Sequence, residues 1–161
     1  MRLMNISRMA AAALALTSAS ACLGVDNGVP DERKIEETTF ASGLGVNLAA
    51  STKTPNGAYY RDIVVGTGPV VTAGQSISIR YTGYLWTGTV FDSNLSNANP
   101  LVFHLGQGEV ISVFDETLVG VHVGGQRQLI IPPSLGYGPY DYGPIPGNSI
   151  LVFTVEVVAA Q

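Results

Sequence analysis

The stretch from Arg80 to Ser93 combines aromatic rings with a single carboxylate, that of Asp92, on two neighbouring predicted strands. Few other ionisable groups lie near it in the sequence, whereas acid–base catalysis and metal binding usually need several such groups at a defined spacing. Aromatic walls with a few polar groups are instead typical of an apolar ligand pocket. The chemistry that this stretch predicts is therefore binding.

Motifs for other kinds of chemistry are weak. His104 and His122 have no Asp, Cys or His at the spacing of metal ligands, and Gly66-Thr67-Gly68 lacks the later glycine and the helix of a dinucleotide site. A turn explains these glycines better. We therefore predict neither a metal nor a cofactor.

The elements that must position the pocket form an α+β domain over residues 58–161. Six β-branched or aromatic runs lie between Gly, Pro and Asn signals, which is typical of strands. Ile111, Phe114 and Leu118 have the i, i+3, i+7 spacing of a helix. The pattern predicts one short helix against a mostly antiparallel sheet. The predicted strands are 60–65, 76–85, 89–92, 100–106, 126–131 and 150–158, and the predicted helix is 111–118.

Residues 1–21 have the pattern of a secretory signal peptide. Arg2 and Arg8 precede an apolar run that is too short to span a bilayer, and small residues follow it. The alternative is a buried N-terminal helix. Cys22, the only cysteine, comes next, as in a bacterial lipobox, and we predict that its thiol carries a lipid anchor. Ordinary cleavage after Ala21, which leaves a free thiol, is the alternative.

Residues 22–57 are rich in acidic, small and polar residues, and we predict a flexible tether. The alternative is an extension that packs on the domain. Without residues 1–21, six basic residues stand against 12 acidic ones, for a net charge of −6. The basic residues are scattered, so we expect no nucleic-acid partner. No long dimerisation helix is predicted, and we expect a monomer.

A series of short motifs in the domain has the order and spacing of one known family. The motifs are Val65-Gly66-Thr67-Gly68, Tyr81-Thr82-Gly83, Phe91-Asp92-Ser93, 100–106, Glu109-Val110-Ile111, 123–127, Ile131-Pro132-Pro133, Leu135-Gly136-Tyr137-Gly138 and 150–156. In these motifs the chain resembles the FKBP-type peptidyl-prolyl isomerases, the immunophilin family that binds the macrolide FK506. The resemblance covers about residues 58–159.

The resemblance implies a curved antiparallel sheet wrapped around one short helix, with a proline-binding pocket between them. Tyr81 would donate a hydrogen bond to Asp92. The backbone N–H of Ile111 and the hydroxyl of Tyr137 would donate to substrate carbonyls. These four residues are the implied catalytic positions, and the implied substrate-binding residues are Phe91, Leu101, Val110, Phe114, Ile145 and Phe153.

The sequence departs from the family pattern around the pocket. Phe114 stands where many relatives have Trp, and Leu101 replaces a common aromatic residue. Residues 93–99 include no basic residue that could pair with the pocket carboxylate. The loop 138–146 is shorter than in well-known members and has no His. The residues expected at the rim in its place are Tyr140 or Tyr142.

The resemblance also implies a function. It implies a peptidyl-prolyl cis-trans isomerase that acts on proline-containing segments of exported proteins, without a cofactor, and that binds macrolides such as FK506. Together with Cys22, it predicts a location in the bacterial cell envelope, on the periplasmic or surface side. Leu23, rather than Asp, follows the cysteine, and this favours the outer membrane in a diderm. The alternatives are a non-catalytic or chaperone-like module that binds proline segments, and a structural surface lipoprotein.

Overall fold

The computed structural model describes residues 32–161. The predicted signal peptide and Cys22 lie outside the described residues. Within them, no helix is both long and apolar enough to cross a membrane.

Seven strands form one antiparallel sheet in the order β1-β2-β6-β7-β3-β4, and β5 pairs with the first half of β3. This arrangement confirms the predicted α+β antiparallel fold, and the strand and helix bounds shift from the predicted ones by a few residues. The strands are β1 Thr52–Lys53, β2 Tyr59–Val64, β3 Ser76–Leu85, β4 Val90–Ser93, β5 Leu101–His104, β6 Gln126–Ile131 and β7 Leu151–Ala160. The α-helix, α1, is Ser112–Thr117, and short 3-10 helices occur at Ile35–Glu37, Ser42–Leu44, Leu48–Ala50 and Pro133–Leu135.

The main core lies between α1 and one face of the sheet. Alternate residues of a strand point to opposite faces, so Leu151, Phe153 and Val155 of β7 all face this core. Val113 and Phe114 of α1 are buried against them. The helix is short, and its burial against the sheet rather than its own propensity stabilises it.

One buried arginine ties α1 to the sheet. Arg127 of β6 is 6% exposed, and its Nε and Nη2 donate to the two carboxylate oxygens of Asp62 at 2.7 and 2.9 Å. Its Nη1 donates to the backbone carbonyl of Thr117, the last residue of the helix. Its guanidinium also lies over the ring of Tyr60. This contact fixes the helix end opposite the one that faces the candidate site.

A second core covers the other face of the sheet. Residues 32–53, which we call the N-terminal strap, cross this face. Ile35 of the strap is only 2% exposed, and it belongs to a cluster with Tyr59, Ile130 and Val152. Partly buried side chains extend the cluster along the strap, namely Phe40, Leu44, Val46 and Leu48.

Hydrogen bonds hold the strap in register with the sheet. Gln128 of β6 donates from Nε2 to the carbonyl of Leu44 at 2.7 Å, and the strap ends as the edge strand β1. The strap therefore packs on the domain, as in the alternative of a packed extension, and is not the flexible tether that we predicted for residues 22–57. The physical reason is that the C-terminal half of β6 and the N-terminal half of β7 are apolar on both faces, and the strap removes the second of these faces from water.

Candidate functional site

A cavity of about 140 Å³ opens between α1 and the sheet. This volume is well below the roughly 300–1,000 Å³ of pockets that enclose drug-sized ligands. It is large enough to enclose a single small ring. The lining residues are Tyr81, Asp92, Leu101, Val110, Ile111, Phe114, Tyr137 and Phe153.

Aromatic rings in edge contact form the apolar wall of the cavity. Phe153 packs edge-on against Phe114, with ring centroids 5.2 Å apart, and against Phe91 at 5.5 Å. A Cβ at Gly83 would lie 2.7 Å from the ring of Phe91 and 2.8 Å from that of Phe153, so glycine is needed where the two rings cross β3. Edge contacts of this kind are worth about 0.5–1.5 kcal/mol each beyond the buried area, and they keep the wall in one arrangement.

The polar side of the cavity is the pair that the sequence predicted. The hydroxyl of Tyr81 donates to Oδ2 of Asp92 at 2.6 Å. Burial, and then the hydrogen bond to this carboxylate, raise the pKa of Tyr81 to about 12. The phenol therefore remains protonated at neutral pH and donates to Asp92. Within residues 32–161, no lysine or arginine forms an ion pair with this carboxylate.

A buried asparagine, which sequence reasoning missed, holds the backbone of this pair. Asn94 is 5% exposed; its Oδ1 accepts from the backbone N–H of Tyr81 at 2.7 Å, and its Nδ2 donates to the carbonyl of Ile79 at 3.0 Å. Ser93 donates from its hydroxyl to the carbonyl of Tyr81. These bonds continue the contact of β4 with β3 beyond the end of β4. A polar residue in a predicted loop carries no sequence signal for this role.

Carboxylates brace the loop that leads to Ile111. Asp115 in α1 accepts backbone N–H groups of Gly106 and Gly108 at 2.7 and 3.0 Å. Glu109 accepts from the backbone N–H of His104 and contacts its imidazole. Ile111 itself is the residue before the helix, and its own N–H donates to no other residue of the described chain. A fixed backbone donor therefore lies at the cavity wall.

The second candidate donor is Tyr137, at the rim. It is 39% exposed, and its hydroxyl bonds to no other side chain or backbone group in residues 32–161. Its ring stacks on that of Tyr142 with 4.8 Å between centroids and 16° between planes. Burial, followed by Tyr142 and Asp92, raises the pKa of Tyr137, so its hydroxyl also stays protonated at neutral pH.

The structure thus brings eight of the ten predicted pocket residues together around the cavity. Phe91 packs edge-on against Phe153 but is not one of the residues that line the cavity. Ile145 belongs to residues 138–146, which we call the rim loop; it is 4% exposed and buried in the main core. Direct contact of these two residues with a substrate stays a prediction, as do the roles of the other eight. Both rim candidates are exposed, Tyr140 by 67% and Tyr142 by 62%, and it is Tyr142 whose ring stacks on that of the cavity residue Tyr137.

A larger groove of about 670 Å³ lies between the strap and the outer side of the rim loop. Its charged groups already have partners: Glu37 pairs with Lys34, and Asp141 accepts the backbone N–H of Gly147. None of the predicted site residues lines it. Neither the groove nor any other place in the described chain groups three His, Cys, Asp or Glu residues as a metal site would.

Comparison with known proteins identifies a matching family. A family model described as FKBP-type peptidyl-prolyl cis-trans isomerase matches residues 68–158. "FK506-binding protein 4" of Mycosarcoma maydis is 39% identical over 129 residues, which are 80% of this chain and 34% of that protein. The chain spans about a quarter to a third of the length of such curated relatives.

Solved structures show the same fold. AtFKBP13 is 36% identical with a TM-score of 0.63, over 69% of this chain and 98% of that one. FkpA from Escherichia coli is 32% identical with a TM-score of 0.61, over 70% of this chain and 52% of that one. The matched region contains all the residues around the cavity. The chain belongs to the FKBP-type peptidyl-prolyl cis-trans isomerase family.

Proposed function

We propose that this chain accelerates cis–trans rotation about X–Pro bonds, with the proline ring bound in the cavity between α1 and the sheet. One observation carries the proposal: a small aromatic cavity has two hydrogen-bond donors at its edge, Ile111 N–H and Tyr137 O–H, that no other described residue uses. Family membership supports the same activity.

The chemistry follows from the amide bond. Resonance imposes a rotation barrier of about 18–20 kcal/mol, and the twisted transition state has lost that resonance. The twisted amide is less polar than the planar one, so an apolar wall favours it relative to water. A rate gain of about 10⁵ requires roughly 7 kcal/mol of such differential binding. The rotation itself needs no covalent intermediate.

The polar residues have separate tasks in this proposal. Ile111 and Tyr137 hold the carbonyls that flank the proline, which fixes the peptide while one bond rotates. Asp92, held by Tyr81, faces the amide region as an acceptor and dipole. Phe114 and Phe153 are the floor on which the ring packs. The pocket then binds the rotated amide better than the planar one.

A matched pair of core substitutions tests the site. Phe114→Leu and Phe103→Leu each remove a ring that is at most 5% exposed, but only Phe114 lines the cavity. Both should lower the thermal midpoint. We expect Phe114→Leu alone to reduce kcat/KM by about tenfold or more, equivalent to about 1.4 kcal/mol, on a proline peptide whose cis form is detected separately.

The outcomes separate the candidate functions. Equal kcat/KM for the two variants would contradict the assignment of the cavity. Peptide binding without acceleration by the wild-type chain would favour the alternative, a module that binds proline segments or acts as a chaperone. FK506 is a second probe: we propose that it competes with the peptide for this cavity, and that Phe114→Leu weakens it while Phe103→Leu does not.

We further propose that the chain works in the bacterial cell envelope, on the periplasmic or surface side, as a lipid-anchored monomer whose clients are exported proteins. The support is the sequence of residues 1–22, with its export pattern and Cys22. Two or three acyl chains would hold a protein at a membrane stably, whereas one would not. Labelling with a lipid precursor tests the anchor: the label should be lost in Cys22→Ala, and label retained in that variant would disprove it.

A further inference from the structure

Tyr142 is placed to control the candidate donor Tyr137. The two rings are stacked in near-parallel planes, 4.8 Å apart. Tyr137 is 39% exposed and its hydroxyl has no partner among residues 32–161, so no hydrogen bond selects its rotamer. A side chain in that situation exchanges between staggered rotamers unless packing restricts it. The stack with Tyr142 supplies packing on one ring face.

Tyr142 itself lies on a firmly held turn. Its backbone N–H donates to the carbonyl of Ile145 at 2.8 Å, and its carbonyl accepts from Ile145 at 3.0 Å. Ile145 is 4% exposed and anchors the turn in the core. The two ends of the loop are also held together. Asp141 accepts the backbone N–H of Gly147, and Gly147 lies so close to Pro139 that a Cβ there would overlap the Pro139 carbonyl. The support for the Tyr142 ring is therefore the core of the domain.

We infer that Tyr142 is a positioning residue for catalysis: it holds the Tyr137 hydroxyl where a substrate carbonyl can accept from it. The inference rests on the proposed function, in which Tyr137 is a donor. Tyr142 is 62% exposed, so it has no large structural role of its own. Its ring, rather than its hydroxyl, carries the effect, because the contact is a ring stack.

Single substitutions give the first test. From the usual strength of one aromatic pair, we expect Tyr142→Ala to lower kcat/KM for a proline peptide by about three- to tenfold. Tyr142→Phe keeps the ring and should stay within about twofold of wild type. Tyr140→Ala is the matched control: Tyr140 is 67% exposed in the same loop, and its truncation should leave kcat/KM near the wild-type value. The thermal midpoint of all three should match that of the wild type.

A double-mutant cycle distinguishes positioning from direct contact. Tyr137→Phe removes the hydroxyl but keeps the stacked ring, so Tyr142→Ala should cause no further loss in that background. An undiminished loss there would overturn the inference, as would wild-type activity in Tyr142→Ala. Wild-type activity in Tyr137→Phe would refute the donor role and the inference together, yet leave the isomerase function standing. No acceleration by the wild-type chain would refute the proposed function itself.

Discussion

Replacing Ile35 by alanine tests whether the N-terminal strap belongs to the folded domain. Ile35 is 2% exposed and packs with Tyr59, Ile130, Ile150 and Val152 on the outer face of the sheet. Truncating a buried Ile to Ala costs about 2–5 kcal/mol. The strap is peripheral, however, and its local detachment would limit the loss. We therefore expect the free energy of unfolding to fall by about 2–3 kcal/mol, near the lower end of that range.

The assay is equilibrium unfolding in urea, followed by tryptophan fluorescence. Trp86 is the only tryptophan, and it packs against the strap cluster with the guanidinium of Arg33 over its ring at 4.1 Å. With an m-value of about 1–3 kcal/mol per M, a loss of about 2–3 kcal/mol shifts the midpoint by roughly 0.7–3 M. The emission of folded Trp86 should change as well, because its surroundings include the strap.

Ile63→Ala is the matched control for this experiment. Ile63 has the same side chain in β2 but is 45% exposed, so its truncation should cost no more than about 1 kcal/mol. If Ile35→Ala costs as little as Ile63→Ala and leaves the emission of Trp86 unchanged, the strap does not dock on the sheet in solution. In that case the tether expected from composition would be right after all.

Three further predictions concern polar side chains that hold the fold together. Asn94→Ala removes two hydrogen bonds to the backbone of β3 and should cost about 2–3 kcal/mol and lower kcat/KM, whereas exposed Asn97→Ala should do neither. Hydrogen bonds from Lys53 and Tyr59 lower the pKa of Glu36 to about 2. The stabilisation that Glu36 provides is therefore present above about pH 4.5 and is lost as the pH falls toward 2. Because Glu36 is 49% exposed, solvent screening keeps this loss below about 1 kcal/mol. Acid-unfolding curves of Glu36→Gln should lack this loss. Arg127→Lys loses the two-point contact with the β2 carboxylate and should cost about 1–3 kcal/mol in thermal or urea unfolding.

The sheet and the cavity residues were accessible from sequence because their signals are local. The apolar alternation of β3 and β7 and the helical spacing in α1 have the periods of the elements themselves. The glycine of Tyr81-Thr82-Gly83 and the carboxylate of Asp92 belong to short motifs. Such motifs can be recognised in the sequence because each one forms a turn, a ring contact or a hydrogen bond within one pair of strands.

The strap, Asn94 and Arg127 could not be assigned in this way. Each looks polar or irregular in its own segment, and each acquires its role from partners far along the chain; Gln128, for example, bonds to a strap carbonyl 84 positions earlier. The Arg80–Ser93 stretch indicated an apolar pocket from neighbouring residues alone, whereas burial of the strap depended on a second apolar sheet face that exists only after β6 and β7 have paired. The different contacts of Tyr140 and Tyr142 also depended on the tertiary structure, since a turn anchored by buried Ile145 places the ring of Tyr142 on that of Tyr137.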